Sequence, residues 1–124
     1  MSEKRALVID DSQLFRLVLR TALERFSFTV EQANDGAEAL GSLHRGGVPD
    51  VIVVDWNMPD LDGIELVNKV RSNPILSNVR IIMVTSETKK DKIELALSQG
   101  VDFYLTKPVQ DTDLFDALRA LGLV

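Results

Sequence analysis

Five side chains able to handle phosphate or metal stand at the ends of apolar runs in this 124-residue chain. Ala6-Leu7-Val8-Ile9 runs into Asp10 and Asp11, and Val51-Ile52-Val53-Val54 runs into Asp55. Ile81-Ile82-Met83-Val84 runs into Thr85 and Ser86. Val101-Asp102-Phe103-Tyr104-Leu105 runs into Thr106, Lys107 and Pro108. Three carboxylates, a hydroxyl and an ammonium group suit a phosphoryl group and a divalent cation. A helix N-cap accounts for Asp11 or Ser12 singly, but not for two adjacent carboxylates. Asp55 closes the most apolar run, where an unpaired carboxylate is costly. Carboxylates that converge raise one another's pKa. Lys107 alone leaves negative charge in excess, so a hard cation such as Mg²⁺, which takes a few carboxylates and keeps waters, completes the set.

A carboxylate beside such a cation can attack phosphorus and form an acyl phosphate. Phosphoryl transfer needs charge on the equatorial oxygens neutralised more than it needs a proton shuttle. The cation and Lys107 supply that charge, and Thr85 can donate a hydrogen bond to one oxygen.

These groups meet only if the apolar runs are neighbouring strands. Continuous apolar runs of this length read as strands buried on both faces of a parallel sheet. In open α/β sheets the ligand site lies beyond the carboxyl ends of the strands. The periodicity gives strand ~5–9, helix ~12–26, strand ~28–32, helix ~36–45, strand ~51–55, helix ~63–72, strand ~80–84, helix ~88–99, strand ~102–106 and helix ~110–121. Asn34-Asp35-Gly36, Gly46-Gly47-Val48-Pro49 and Pro59-Asp60-Leu61-Asp62-Gly63 carry turn chemistry. Strict alternation predicts right-handed crossovers with helices on both faces. In the first helix Phe15, Val18, Leu19, Ala22, Leu23 and Phe26 form the core stripe. Leu14 and Leu17 fall on a flank near the acidic pair, where they read as scattered surface leucines or as a docking patch. In the last helix Leu114, Ala117, Leu118 and Leu121 face the core, with Phe115 off that line.

The length fits one domain with one core, 1–124. The 45% hydrophobic content argues against disorder. No apolar run approaches a membrane span, and no charged-then-apolar leader opens the sequence. Cysteine is absent, which excludes thiolate chemistry and suits a reducing cytoplasm. A net charge of -5 argues against direct nucleic-acid binding.

The sequence resembles the receiver domain of bacterial two-component response regulators along essentially its whole length. The matching residues are Asp10-Asp11, Val53-Val54-Asp55-Trp56-Asn57-Met58-Pro59, Asp62-Gly63, Val84-Thr85-Ser86, and Tyr104 three residues before Lys107-Pro108. Each is common alone; their order and spacing together are specific. The resemblance is strongest to single-domain, CheY-like chemotaxis regulators, since the chain closes just after the fifth helix. It implies a flavodoxin-like, doubly wound (βα)5 fold with a five-stranded parallel sheet in the order 2-1-3-4-5, CheY being a known instance of that order.

The resemblance also implies roles. Asp55 would accept the phosphoryl group. Asp11, Asp55 and the main-chain carbonyl of Asn57 would bind Mg²⁺, with Asp10 assisting through water. Thr85 and Lys107 would hold the phosphoryl oxygens. Tyr104 would report the phosphorylated state, and Lys107-Pro108 would be a cis peptide, which proline permits. Asn57 and Glu87 would tune hydrolysis. A histidine kinase or phosphotransfer protein would be the donor. An output protein would dock on the fourth helix, fifth strand and fifth helix. The expected protein is a cytoplasmic monomer that accepts and loses its own phosphoryl group and is not an enzyme on a separate substrate.

Two other functions share parts of the pattern. An Mg²⁺-dependent phosphatase with an aspartyl-phosphate intermediate resembles Asp-x-Asp at the nucleophile, but Asn57 stands at the second position here. A receiver severed from a DNA-binding regulator, or a phosphate sink in a relay, would carry the same site. Lys89, Lys90 and Lys92 read as a solvated face or as a polar docking rim. His44, near a helix C-terminus, reads as a favourable cation and not as a phosphohistidine. Asp35 and Asp62 read as turn or cap residues, and Trp56 as strand-end packing.

Overall fold

The computed structural model describes residues 4–124. Five strands, β1 (Lys4–Ile9), β2 (Phe28–Ala33), β3 (Val51–Val54), β4 (Arg80–Thr85) and β5 (Phe103–Thr106), alternate with five helices. The helices are α1 (Gln13–Arg25), α2 (Gly36–Gly46), α3 (Gly63–Ser72), α4 (Lys90–Ser98) and α5 (Asp111–Ala120). All pairings are parallel, in the order β2-β1-β3-β4-β5. The fold is the flavodoxin-like one that the resemblance implies. Among the described residues no helix is long and apolar enough to cross a membrane.

Side chains alternate across the central strands, so each strand feeds two cores. Leu7, Ile9, Ile52, Val54, Ile81 and Met83 face α2, α3 and α4. Ala6, Val8, Val51, Val53, Ile82 and Val84 face α1 and α5. β1, β3 and β4 are therefore buried on both faces, as their unbroken apolar sequences predict. β2 and β5 are the edges, and the expectation fails for β5. Phe103, Tyr104 and Leu105 are only half-buried and Thr106 is exposed, because a strand with one neighbour has less to cover it. β5 also begins at Phe103, later than its apolar run. The Asp102 backbone N–H bonds Ile81 O at 2.8 Å, and its carboxylate accepts the Ile81 N–H at 2.8 Å. Its side chain thus replaces one rung of the ladder.

Two helical positions also depart from the periodic reading. Val18 is 45% exposed, outside the α1 core stripe that keeps Leu19, Ala22 and Leu23. Leu121 caps α5 and is half-buried, while Leu114, Ala117 and Leu118 are wholly buried. Phe115 tilts against Phe26 with ring centroids 5.3 Å apart, joining α5 to α1. Helix starts follow their caps. Ser12 accepts from the Phe15 N–H, Asp35 from Glu38, and Asp62 forms a capping box with Glu65. α4 has no side-chain cap and starts only after extended Lys89, two residues later than the expected ~88.

Gly63 carries a close approach. A Cβ there would stand 2.3 Å from Asp55 O and 2.8 Å from Trp56 Cα. Its own N–H bonds Trp56 O at 2.9 Å. Only glycine lets the start of α3 lie against the backbone that carries Asp55.

Candidate functional site

From β1 the chain crosses to β2 on one side, whereas from β3 it crosses to β4 on the other. That reversal opens a crevice at the carboxyl ends of β1 and β3. The register pairs Ile9 with Val54. Asp10 and Asp55, one residue beyond each, consequently emerge side by side. The Asp55 N–H bonds Ile9 O at 3.0 Å and the Asp10 N–H bonds Ala33 O at 3.2 Å, so both acids are still held by the ladder. Asp11, one residue later, turns out and is exposed, while Asp10 and Asp55 are buried. One carboxylate oxygen from each of the three lies within 4.8 Å of the others.

Lys107 closes the cluster from β5. Its Nζ lies 2.9 Å from Asp10 Oδ2 and 3.2 Å from Asp55 Oδ2. Its backbone N–H bonds Thr85 O at 2.8 Å, which ties the lysine to the end of β4. The Lys107-Pro108 peptide is cis, as the resemblance implies. Burial alone would pull the Lys107 pKa down. The hydrogen bond to Asp10 and the charges of Asp55 and Asp10 outweigh it, and the net direction is up. Burial pushes the Asp10 carboxyl up, and bonds from Lys107 and the Ser12 N–H only partly offset it. Repulsion from Asp55 has the predicted sign at Asp10 but is the smallest of its causes.

The acids hold further groups. Asp10 Oδ1 accepts the Ser12 N–H at 2.9 Å, and Asp55 Oδ1 accepts the Asn57 N–H at 3.3 Å. Asn57 itself is exposed. Thr85 is wholly buried, and its Oγ1 accepts the Glu87 N–H at 3.4 Å. Glu87 O in turn accepts the Tyr104 hydroxyl at 2.8 Å. Burial, then the charges of Glu87 and Asp55, push the Tyr104 phenol up to about 12. Thr85, Glu87 and Tyr104 therefore form one bonded path from the crevice to the outer edge of the sheet. His44, Lys89 and Lys90 are exposed, and the Lys89 backbone N–H donates to Glu87 Oε1 at 3.1 Å, beside this path.

Three contacts have no counterpart in the sequence reading. Lys107 Nζ stands over the Phe15 ring, 4.1 Å from its centroid. Arg16 Nη1 donates to Asp10 O at 2.6 Å. Lys92 Nζ lies 5.5 Å from the centroid of the buried Trp56 ring. The spacing of Phe15 and Arg16, four and five residues beyond Asp11, puts them one turn into α1 and over the acids. The helical stripe assigned Phe15 to the core and so hid its second face.

An all-oxygen cluster with one exposed member fits a hard cation that keeps part of its water shell. The two buried acids are partly neutralised by Lys107, and the exposed Asp11 leaves a way in.

The model of the response regulator receiver domain family matches residues 6–119. The chain belongs to that family. It is 38% identical to the chemotaxis protein CheY1 of Helicobacter pylori, over 94% of this chain and 95% of that one. It is 39% identical to the chemotaxis protein CheY of Pseudomonas aeruginosa, over 84% of each. Its fold matches the Vibrio cholerae chemotaxis protein CheY4 with a TM-score of 0.89 at 32% identity, covering 96% of this chain and 98% of that one. A CheY-like receiver domain protein of Methanospirillum hungatei matches with a TM-score of 0.87 at 28% identity, over 97% and 94%. The chain is thus a CheY-type receiver domain of two-component signalling.

Proposed function

We propose that this receiver domain is an Mg²⁺-dependent phosphoacceptor switch with Asp55 as the acceptor. The observation that carries the reading is the bridging of Asp10 and Asp55 by Lys107 within a three-carboxylate cluster at the crevice. An Asp55 oxygen attacks phosphorus in a phosphohistidine, forming the acyl phosphate O–P bond while the N–P bond breaks. The electron pair of that bond stays on the donor imidazole. Lys107 contributes charge to the phosphoryl oxygens, and Thr85 contributes a hydroxyl donor. Asp11, Asp55 and the carbonyl of Asn57 would hold Mg²⁺, with Asp10 assisting through water. When bound, the ion supplies positive charge to the same oxygens. Asn57 and Glu87 border the site and tune access of water to the acyl phosphate. The protein acts on its own side chain and is not an enzyme for a separate substrate.

Phosphorylation adds about -1.5 to -2 charge and three acceptor oxygens at Asp55. Thr85 turning towards them releases the Glu87 N–H. Glu87 O, bonded to Tyr104, carries the change to β5 and α4. The output is altered affinity for a protein docked on α4, β5 and α5, where Leu95, Leu97 and Phe115 are exposed. The donor, a histidine kinase or phosphotransfer protein, docks beside the acids on the exposed Leu14 and Leu17. The protein works in the cytoplasm as a monomer, and its relatives make chemotaxis the favoured pathway. Acetyl phosphate with Mg²⁺ should add one hydroxylamine-labile phosphoryl group to the chain. Asp55→Asn should abolish it, because an amide is not a nucleophilic carboxylate. Normal labelling of that variant by intact mass would refute the acceptor. Steady turnover of a phosphomonoester would favour a phosphatase instead.

A further inference from the structure

Lys107 reaches the acids on a four-carbon stem with many rotamers, so something must select the one observed. Its side chain is only 20% exposed. Two carboxylates draw the ammonium from one side. On the other stands the Phe15 ring, 4.1 Å from Nζ to centroid, well inside the range of a cation–π contact. The ring is itself fixed to the same acids. Asp10 Oδ1 accepts the Ser12 N–H at 2.9 Å, and Ser12 Oγ accepts the Phe15 N–H at 3.2 Å. Arg16, the next residue, donates to Asp10 O. Asp10, Ser12, Phe15 and Lys107 thus form a closed circuit of contacts around one end of the crevice.

The chemistry of the circuit matters. An ammonium group has three N–H donors. Asp10 and Asp55 engage two of them. A polar group in place of Phe15 would claim the third, whereas a ring face attracts the charge without a directed bond. Among the described residues the ammonium makes no third hydrogen bond.

We infer that Phe15 is a positioning residue for Lys107, keeping its ammonium at Asp55 with one N–H free for an incoming phosphoryl oxygen. This rests on the reading of Asp55 as phosphoacceptor. Phe15 touches neither phosphate nor metal; it acts through Lys107.

The test uses the full chain, acetyl phosphate and Mg²⁺, with the initial rate of Asp55 labelling read by intact mass. Phe15→Leu keeps an apolar side chain and loses the ring face, and should slow labelling about three- to tenfold. Phe15→Trp should restore the rate. Because Phe15 also packs on the α1–α5 core, phenylalanines bearing one, two and three fluorines are placed at position 15. They keep the shape and progressively weaken the negative face, and the logarithm of the rate should fall in that order. A rate indifferent to fluorination, or Phe15→Leu matching the native chain, overturns the inference while leaving Asp55 as acceptor. An unlabelled native chain would remove the phosphoacceptor reading and this one with it. In metal-free protein the Lys107 ε-methylene protons should show an upfield ring-current shift that Phe15→Leu abolishes. Its absence from the native spectrum also overturns the inference.

Discussion

The Tyr104 hydroxyl donates a 2.8 Å hydrogen bond to the main-chain carbonyl of Glu87. The bond joins the middle of the edge strand β5 to the loop after β4. That loop follows Thr85, the last residue of β4, whose Oγ1 accepts the Glu87 N–H. Glu87 is therefore held by both of its backbone groups, one towards the acids and one towards the outer surface. Removing the hydroxyl with Tyr104→Phe should cost about 1 kcal/mol in urea unfolding. It should also shift the amide resonances of residues 87–89 in the unphosphorylated protein. Unchanged shifts there would mean that the bond does not restrain the loop.

The phenol itself gives a pH prediction. Its folded pKa of about 12 lies above the ordinary value of 10, so the folded state keeps a proton that the unfolded chain loses first. Tyr104 then contributes stability that is fully present below pH 10 and lost as pH rises towards 12. Lys107, also shifted upward, loses its contribution above its ordinary range in the same direction. Tyr104 is the only tyrosine, so phenolate absorbance reads it without ambiguity. Ionisation near pH 10 in the folded protein would refute the burial assigned here.

The acidic cluster predicts linkage to a cation. Mg²⁺ at ten times its dissociation constant should stabilise the fold by about 1.4 kcal/mol, seen as a rise in Tm. Asp11→Ala combined with Asp55→Ala should remove the rise. Asp10→Asn should stabilise the metal-free protein at neutral pH. Asp10 has a raised pKa, so its ionised form opposes folding above the ordinary carboxylate range. A metal-free Asp10→Asn variant that melts below the native chain would show that Lys107 more than offsets burial.

Gly63 gives a steric prediction. Gly63→Ala brings a methyl into the Asp55 carbonyl and should cost about 1–3 kcal/mol or more in urea unfolding. It should also lower the Mg²⁺-induced stabilisation, because α3 can retreat only by dragging the Asp55–Trp56 backbone with it. Native stability in this variant would mean that the contact relaxes freely.

The apolar runs made the central strands legible because β1, β3 and β4 are covered on both faces. Alternation made the helices legible, and a polar residue after each run marked the carboxyl edge. The order of the strands was supplied by family resemblance, since periodicity does not say which strand neighbours which. The register that sets Asp10 beside Asp55 depends on how α1 and α2 fill the crossovers, and no local pattern records it. Phe15 was visible as an apolar helix residue, but its partner Lys107 lies ninety-odd positions away. Val18 misled because an apolar stripe of 3.6-residue period is wider than the face that α5 and the sheet cover.

Under the proposed function, the path from Thr85 to Tyr104 separates acceptance from signalling. Thr85→Ala removes the acceptor of the Glu87 N–H, and Lys107→Ala removes the ammonium between Asp10 and Asp55. Neither removes the proposed nucleophile, so both variants should still be labelled at Asp55, at an altered rate. What they should lose is the response, because in the proposed mechanism these two groups read the added oxygens before the loop moves. Trp56, the only tryptophan, follows occupancy of the site by fluorescence. Amide shifts of Tyr104 and of the start of α4 follow the response. At saturating phosphorylation the shift at Tyr104 should be much reduced in each variant. Full native shifts in both would show that the signal bypasses Thr85 and Lys107. The Trp56–Lys92 contact would then be the next route to test, with Lys92→Ala as the variant.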